Sequence, residues 1–598
     1  MEGPCRAVND KRSVSVAQDK FLKRLESSKM ERFFYFFLFL FALVFTPVTT
    51  PASPADEAVR ELIRERVSCI RSENGAGVAD RAIASVIVLP ALYEKSDYRP
   101  LWTNSQSVSQ LFVVLGSIQD DGLDPADYHG PLLTKMKAKI ESGGQHSPSV
   151  LADFDLLMSD SLIRLGYHLL VGKVNPEELD NNWNMARTVG ELDAILQMAG
   201  AISDGTVVKL VQSLRPQAPA YHRLRAALAH YRALKAQGGW DLVSGGLLLK
   251  LGMTDARVVQ LRKRLEVSGD LQEANLESML FGEDVHQAVK HFQRRHGLVA
   301  DGIVGQGTLA ALNVPVDEKI NQLLVNLERA RWILHDLPKQ FVVVDIAGFS
   351  VKYFRNGTIL WETRAQVGQK YRMTPVFKSE IKFLVMNPTW TIPLTVFTED
   401  VLPKVKKDPD YLQKRDFRVI TYGREYVDES TIDWSKYPKE KFPYLLRQEP
   451  GPKNALGRVK FMFPNTHDVY LHDTPSKGLF DKEERAFSSG CVRVEHPFSF
   501  AELLLDDDKW SEEKILEVID SKETKQVSLQ TSVPILLLYW TVTAENDGTV
   551  IFKKDIYGRD AGVLAVLQSQ FTFPKCSVFN NSGGNDFGSV GNLSKVQK

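Results

Sequence analysis

The sequence predicts a multi-domain α+β chain, and three observations carry that reading. Leucine and alanine recur at helical spacing from about residue 56 to 245, as in Leu156, Leu157, Leu162 and Leu165 and in Leu224, Ala227, Leu228 and Tyr231. A short region over 246–315 alternates apolar helix faces with a glycine-rich loop. From Phe341 onward, runs such as Phe341-Val342-Val343-Val344 and Val492-Arg493-Val494 read as strands. With 598 residues, 43% hydrophobic and 25% charged, the chain has the make-up of about four globular domains.

Near the start, Phe33 to Phe45 is an unbroken apolar run behind Lys29 and Arg32, followed by Pro47 and the small residues around Ala52 and Ala55. A spanning helix needs about 20 apolar residues, whereas an export signal needs roughly 7–15 before small residues. Residues 30–55 are therefore expected to be a signal peptide, with an uncleaved membrane anchor as the alternative. The leader over 1–29 is long for a signal, and Met30 is an alternative start that leaves Cys5 outside the protein. Cleavage near Ala52 or Ala55 leaves Cys69, Cys491 and Cys576. An odd number in an oxidising compartment leaves one thiol free or paired between molecules. Cys491 is the natural candidate. Cys69 and Cys576 pair only if the ends of the mature chain meet.

Residues 56–245 form the expected helical domain, in which His129 and His168 read as structural. Over 246–315, Val258, Leu261 and Leu265 mark one helix face and Val285, Ala288, Val289 and Phe292 another. The loop Gly297 to Gly305 precedes Thr308 and Leu309, so the region reads as a three-helix module. A linking helix with Leu327, Ala330 and Trp332 covers 316–338. The strand-rich region spans 339–568 and is interrupted over about 396–455 by an irregular segment rich in Lys, Asp, Pro and Tyr. Beyond 569 the composition turns to Asn, Ser and Gly, and a disordered tail is expected. The 74 basic and 74 acidic residues give no net field, so nucleic acid is not an expected partner.

The chemistry concentrates at Ser488-Ser489-Gly490-Cys491-Val492-Arg493-Val494, which follows His472 in Val469-Tyr470-Leu471-His472-Asp473-Thr474-Pro475. A free thiol titrates near pH 8.5, so a cysteine nucleophile asks for a nearby base. A surface loop between two strands brings His472 and Cys491 face to face. Gly490 permits close approach of a substrate, and the N–H groups beside it are oxyanion donors. Arg493, two residues on, shares a face with Cys491 and suits a substrate carboxylate. The first expectation is a cysteine acyl-transfer enzyme. A zinc hydrolase using His467, His472 and His496 is the competing class, but residues five apart in a strand face opposite sides and no His-Glu-x-x-His helix exists. No metal and no cofactor are expected.

His472 and the Ser488-Ser489-Gly490-Cys491-Val492-Arg493 turn closely resemble the signature of the bacterial L,D-transpeptidases. The likeness extends to Val367-Gly368-Gln369-Lys370-Tyr371-Arg372-Met373-Thr374-Pro375-Val376 and Met386-Asn387-Pro388-Thr389-Trp390-Thr391-Ile392-Pro393. Ser489 departs from the His or Arg of many members and is similar to the large multi-domain branch. The 288–302 segment resembles a peptidoglycan-binding domain, and 56–245 the helical scaffold of the large enzymes. The resemblance implies Cys491 as nucleophile, His472 as general acid and base, and Gly490 in the oxyanion hole. By analogy with triads, Asp473 or its carbonyl orients His472. Arg493, Tyr371, Trp390, Ser488 and Ser489 line the implied substrate groove, and the 396–455 insertion is a cap over it. The implied reaction releases D-Ala from a tetrapeptide stem and forms a 3→3 cross-link. Alternatives are an L,D-carboxypeptidase, attachment of wall proteins through the same thioester, or a non-catalytic wall-binding scaffold. Implied partners are peptidoglycan stem peptides and wall enzymes that supply tetrapeptides, in the periplasm, with membrane contact only through the signal or anchor.

Overall fold

The computed structural model describes residues 53–569 apart from 73–76, 145, 186–190, 273–274, 409 and 437–441. The expected export segment, Cys5, Cys576 and the tail expected to be disordered lie outside the described residues. Among the described residues no helix is long and apolar enough to cross a membrane. Cys69 is exposed and free.

The first half is helical: α1 (Pro54–Ser72), α2 (Val88–Lys95), α3 (Ser105–Ser117), α4 (Gly130–Glu141), α5 (Pro148–Val171), α6 (Pro176–Leu179), α7 (Glu191–Ser203), α8 (Val207–Leu214) and α9 (Pro219–Ala236). A two-residue ladder pairs β1 (Gly77–Val78) with β2 (Arg81–Ala82). Asn104 and Ser147 cap α3 and α5 by accepting the amides of Gln106 and Val150. Helix α5 is buried nearly all round and forms the middle of this core. Its polar groups are satisfied in place. Asp155 accepts from the Tyr93 hydroxyl and the Leu101 and Trp102 amides, and Asp160 pairs with His129 and Arg164. His168 Nδ1 lies 2.6 Å from the Tyr128 hydroxyl, so both histidines serve the core.

Helices α10 (Arg257–Val267), α11 (Glu283–Arg295) and α12 (Gln306–Leu312) enclose a second core of Val258, Leu261, Leu265, Val285, Val289 and Phe292. Gln293 ties the glycine loop to α11 by donating to Asp301 and Thr308 and accepting from the Gly302 amide. Gly302 has φ +73°, and a Cβ there would meet the His286 ring at 2.2 Å, so only glycine fits.

Helix α13 (Val316–Ile333) runs between the modules. Glu328 and Arg331 on it are fully buried and ion-paired. Glu328 accepts the Val174 amide, while Arg331 donates to the Asp121 carbonyl and the Tyr221 hydroxyl. Asp121 itself binds Arg215 and Arg225. Removing one partner of such a buried pair costs about 3–5 kcal/mol, so these contacts hold the linker helix in place on the scaffold.

The strand-rich region contains β3 (Gln340–Asp345), β4 (Ser350–Arg355), β5 (Thr358–Gly368), β6 (Phe377–Met386), β7 (Trp390–Thr391), β8 (Phe417–Ile420), β9 (Tyr426–Val427), β10 (Leu445–Gln448), β11 (Val459–Met462), β12 (Leu471–His472), β13 (Ala486–Ser488), β14 (Val492–Val494), β15 (Lys525–Leu538), β16 (Val542–Ala544) and β17 (Val550–Phe552). The main sheet runs β13-β5-β14-β12-β11-β6-β15-β3-β4, and β4 also pairs with β5. The sheet thus closes on itself, which removes two exposed edges. Helices α14 (Pro497–Leu505), α15 (Glu512–Asp520) and α16 (Asp560–Gln568) complete the region.

The interrupting segment is itself a small folded unit. A four-stranded sheet β7-β10-β8-β9 and short helical turns surround a core of Ile392, Phe397, Val401, Leu402, Phe417, Val419 and Leu446. Its irregular sequence concealed this, because strands of two to four residues show little alternation.

Lys319 of α13 is buried with its ammonium 4.3 Å from the Phe552 ring, near Arg264 and Arg295. Burial first, then those two cations, lowers its pKa from 10.5 to about 7. The folded state therefore disfavours the charged lysine, a cost complete at and below pH 7 that fades as pH rises toward 10.5. Lys319→Met is expected to stabilise the chain by about 1–3 kcal/mol at pH 7. The gain should shrink by pH 9 in urea titrations, and a variant no more stable than the parent at pH 7 would refute it.

Candidate active site

Register places the functional side chains before any of them needs to be singled out. Strand β14 pairs antiparallel with β5, matching Arg493 with Gln366, and parallel with β12, matching His472 with Arg493. Strand β11 lies beyond β12 and matches Lys460 with His472. Paired residues share a face, so Gln366, Arg493, His472 and Lys460 form one polar row across four strands. Their neighbours Ala365, Val492, Leu471 and Phe461 point the other way and are buried in the main core. Alternation thus puts four polar groups together at no loss of apolar burial.

Cys491 stands just ahead of β14, where Gly490 turns the chain at φ +113°. The nearest atom to a Cβ built at Gly490 is the Met373 carbonyl at 3.8 Å, so the left-handed backbone, not lack of room, calls for glycine. Ser488 is buried and turned inward: its Oγ accepts the Gly490 amide and donates to the Cys491 carbonyl. Sequence reasoning assigned Ser488 to substrate and the Gly490 N–H to an oxyanion, but here both are spent on holding the turn. Thr374 braces the turn from the other side, donating to the Gly490 carbonyl at 2.8 Å and accepting the Gly368 amide. Tyr557 completes the brace by donating to the Gly368 carbonyl.

The thiol donates weakly to the Asp468 carbonyl, with 3.6 Å between sulfur and oxygen. Burial raises its pKa to about 11, against the opposing pull of the Tyr470 amide, Arg493 and the Tyr470 hydroxyl. Tyr470 was quoted in the sequence motif but not assigned a role. It lies two residues before His472, and the strand period was the available signal. The Trp390 indole in turn hydrogen-bonds Tyr470, which links the edge of the inserted unit to the sulfur.

His472 is buried and its Nδ1 lies 2.5 Å from the Asp473 carbonyl oxygen. That contact selects the Nδ1–H tautomer and leaves Nε2 as the basic nitrogen. Burial, then Arg493, lowers the imidazole to about pKa 3, opposed by the Asp473 and Leu456 carbonyls. The orienting group is therefore the Asp473 backbone. Its carboxylate instead accepts the Arg458 amide and pairs with Lys477, and it lies where a Cβ at Gly457 would be, 2.3 Å from Oδ2.

Arg493 donates to Gln366 Oε1 at 3.1 Å, and its Nε is buried without a partner among the described residues. Tyr371 is 70% exposed and contributes only a rim. Arg372 does more: it donates to Ser489 Oγ at 2.9 Å and pairs with Glu399 and Asp400, which lie in a π-helical turn of the inserted unit. Trp390 is half-buried against Phe417. The three histidines of the zinc alternative stay apart. His467 meets the Phe377 ring, His496 is exposed beside Glu495, and His472 is flanked by cations. Among the described residues no three His, Cys, Asp or Glu side chains converge on a metal position.

Comparison with known proteins shows what the chain is similar to. Residues 339–519 match the L,D-transpeptidase catalytic domain, residues 254–312 the "Putative peptidoglycan binding domain", and residues 88–228 the "Scaffold domain". In its domain make-up the chain is similar to multi-domain L,D-transpeptidases, as the Cys491 motif led us to expect. A "Putative L,D-transpeptidase" of Haemophilus influenzae is 37% identical over 250 residues, which cover 41% of this chain and 50% of that protein. The chain thus spans about half the length of that relative. Two solved structures are similar to it at 14% identity. The L,D-transpeptidase of Xylanimonas cellulosilytica covers 49% of this chain and 99% of its own, with a TM-score of 0.17. L,D-transpeptidase 1 of Mycobacterium tuberculosis covers 33% of this chain and 61% of its own, with a TM-score of 0.14. Scores this low carry no argument, and the fold described above stands on its own contacts.

Two outcomes are expected. Because the resting thiol is protonated well above neutrality, alkylation of Cys491 by iodoacetamide should accelerate about tenfold per pH unit from 7 toward 10. A rate already level at pH 7 would instead reveal a resting thiolate–imidazolium pair. Arg372→Gln removes two part-exposed ion pairs, together worth about 1–2 kcal/mol. Hydrogen exchange over 394–405 should then quicken by about tenfold. Unchanged exchange would mean that the apolar core of the inserted unit holds it unaided.

Proposed function

We propose that the chain is a peptidoglycan L,D-transpeptidase working outside the cytoplasm, with Cys491 as its nucleophile. The observation that carries this reading is the arrangement of Cys491, just ahead of β14, and His472 on the neighbouring parallel strand β12, with Arg493 paired to His472, inside the segment matched by the catalytic-domain family. The Cys491 sulfur attacks the carbonyl that joins the third stem residue to the terminal D-Ala of a tetrapeptide. His472 Nε2 takes the thiol proton and passes it to the departing amine, so D-Ala leaves and a thioester remains. The side-chain amine of a second stem then attacks the thioester, releases the sulfur and closes a 3→3 cross-link.

The resting charges explain why the thiol waits for substrate. An imidazole near pKa 3 is a poor base for a thiol near 11, so proton transfer is unfavourable in the free protein. Arg493 is the nearest cause after burial for the weak imidazole. A substrate carboxylate that pairs with Arg493 offsets that cation and makes His472 more basic when the carbonyl is in reach. The Tyr470 hydroxyl, beside the sulfur, is the donor best sited to receive the developing oxyanion.

The test is mass spectrometry of the chain and of Cys491→Ala after incubation with disaccharide-tetrapeptide. Loss of D-Ala, an acyl adduct on the Cys491 peptide and new dimers, all absent from the variant, are the expected result. Loss of D-Ala without dimers would make the acceptor water or another amine. No adduct under any condition would leave a wall-binding scaffold as the reading.

A further inference from the structure

The polar row holds a second cation that the reaction described above does not use. Lys460 on β11 pairs with His472 from one side and Arg493 on β14 from the other. With strands about 4.8 Å apart, the Cα atoms of the two cations stand roughly 10 Å from each other across the imidazole. Lys460 is half-buried, and its ammonium lies 5.7 Å from the centre of the Tyr470 ring, which itself hydrogen-bonds the Cys491 sulfur. Burial lowers the Lys460 pKa while a charge on Cys491 would raise it, so the sulfur is within electrostatic reach of the ammonium. Lys460 is also, with Arg493, one of the two cations that weaken His472.

Neither cation has a counter-ion among the described residues. The acids around them are committed elsewhere: Asp473 to Lys477, Glu495 to Arg364, and Glu399 and Asp400 to Arg372. Asp468, whose carbonyl receives the thiol, is exposed at φ +53° and forms no ion pair with either cation. A half-buried ammonium without an anion is unfavourable, and a ring near the 6 Å limit of cation–π attraction does little to offset that. Packing of the lysine stem alone would leave its head in water, whereas here its charge is felt at both reacting groups. Two unanswered cations on either side of the base call for two anions.

We infer that Lys460 is a specificity-determining residue, which together with Arg493 cradles an acyl donor that carries a free carboxylate on each side of the scissile carbonyl. The inference rests on the transpeptidase reading and goes further by naming the charge the donor must bring. A tetrapeptide whose third residue is a diamino diacid has two such groups, one on the leaving D-Ala and one on the side chain of the third residue. One meets Arg493 and the other meets Lys460. A donor with both groups offsets both cations and leaves His472 more basic than a donor with one group masked.

The experiment measures kcat and KM for amine release by the full chain from three disaccharide-tetrapeptides. One has both carboxylates free, one carries a carboxamide on the side chain of the third residue, and one ends in D-alaninamide. Lys460→Met removes the charge but keeps an apolar stem against Tyr470; Lys460→Gln repeats the test with a polar neutral side chain, and Lys460→Arg keeps the charge. The parent is expected to prefer the free donor over one masked donor by at least tenfold in a manner that depends on Lys460. That preference should vanish in the neutral variants, chiefly through a raised KM for the free donor, and persist in Lys460→Arg. The masked donor concerned identifies which carboxylate Lys460 binds. A parent without preference, or a preference that the neutral variants keep because all three donors slow alike, would overturn the cradle and leave the transpeptidase reading standing. A parent that releases nothing from any donor would overturn both.

Discussion

The structure of the site depends on strand register. Four strands, β5, β14, β12 and β11, are aligned so that Gln366, Arg493, His472 and Lys460 fall in one row. A slip of one residue in β14 would turn Arg493 into the core and Val492 out of it, at a cost of about 1.5–3 kcal/mol for the exposed valine alone. The apolar half of the alternation thus enforces the polar half. The brace of Ser488, Thr374 and Tyr557 then sets where Cys491 stands relative to the row.

Electrostatics follow from that geometry. His472 is buried between two cations, and its remaining support comes from carbonyl dipoles rather than a carboxylate. A triad with an ionised Asp against the ring would stabilise the imidazolium and favour a resting thiolate. Here Asp473 spends its carboxylate on Lys477 and the Arg458 amide, and the pair stays neutral at rest. A neutral thiol is also less open to oxidation, which follows thiolate character and exposure.

Helix α13 relates these parts to the rest. Its buried Glu328–Arg331 pair reaches Asp121 and Val174 of the scaffold, and Asn326 and Arg329 reach Thr541 and Asp560 beyond the main sheet. Polar contacts of this kind are directional, so they specify how the helix is rotated and not only that it is covered. The small three-helix module packs at the other end, where His296 stacks between Phe292 and Phe552.

The sequence by itself determined the kinds of element and singled out Cys491 and His472. Helical spacing over 56–245, the glycine loop before Thr308 and the alternation around Cys491 are local patterns, and local patterns survive without a fold. It also held Tyr470 in plain view, two residues from His472 on the same strand face. Tertiary structure alone decided the closure of the sheet through β4 and β5, the separate core of the inserted unit and the clamp of Arg372 on Glu399 and Asp400. It decided, too, that Asp473 orients the imidazole through its carbonyl and that Ser488 faces inward. The physical reason is range: side-chain type and period act over a few residues, whereas partners, burial and pKa depend on groups brought together from distant parts of the chain.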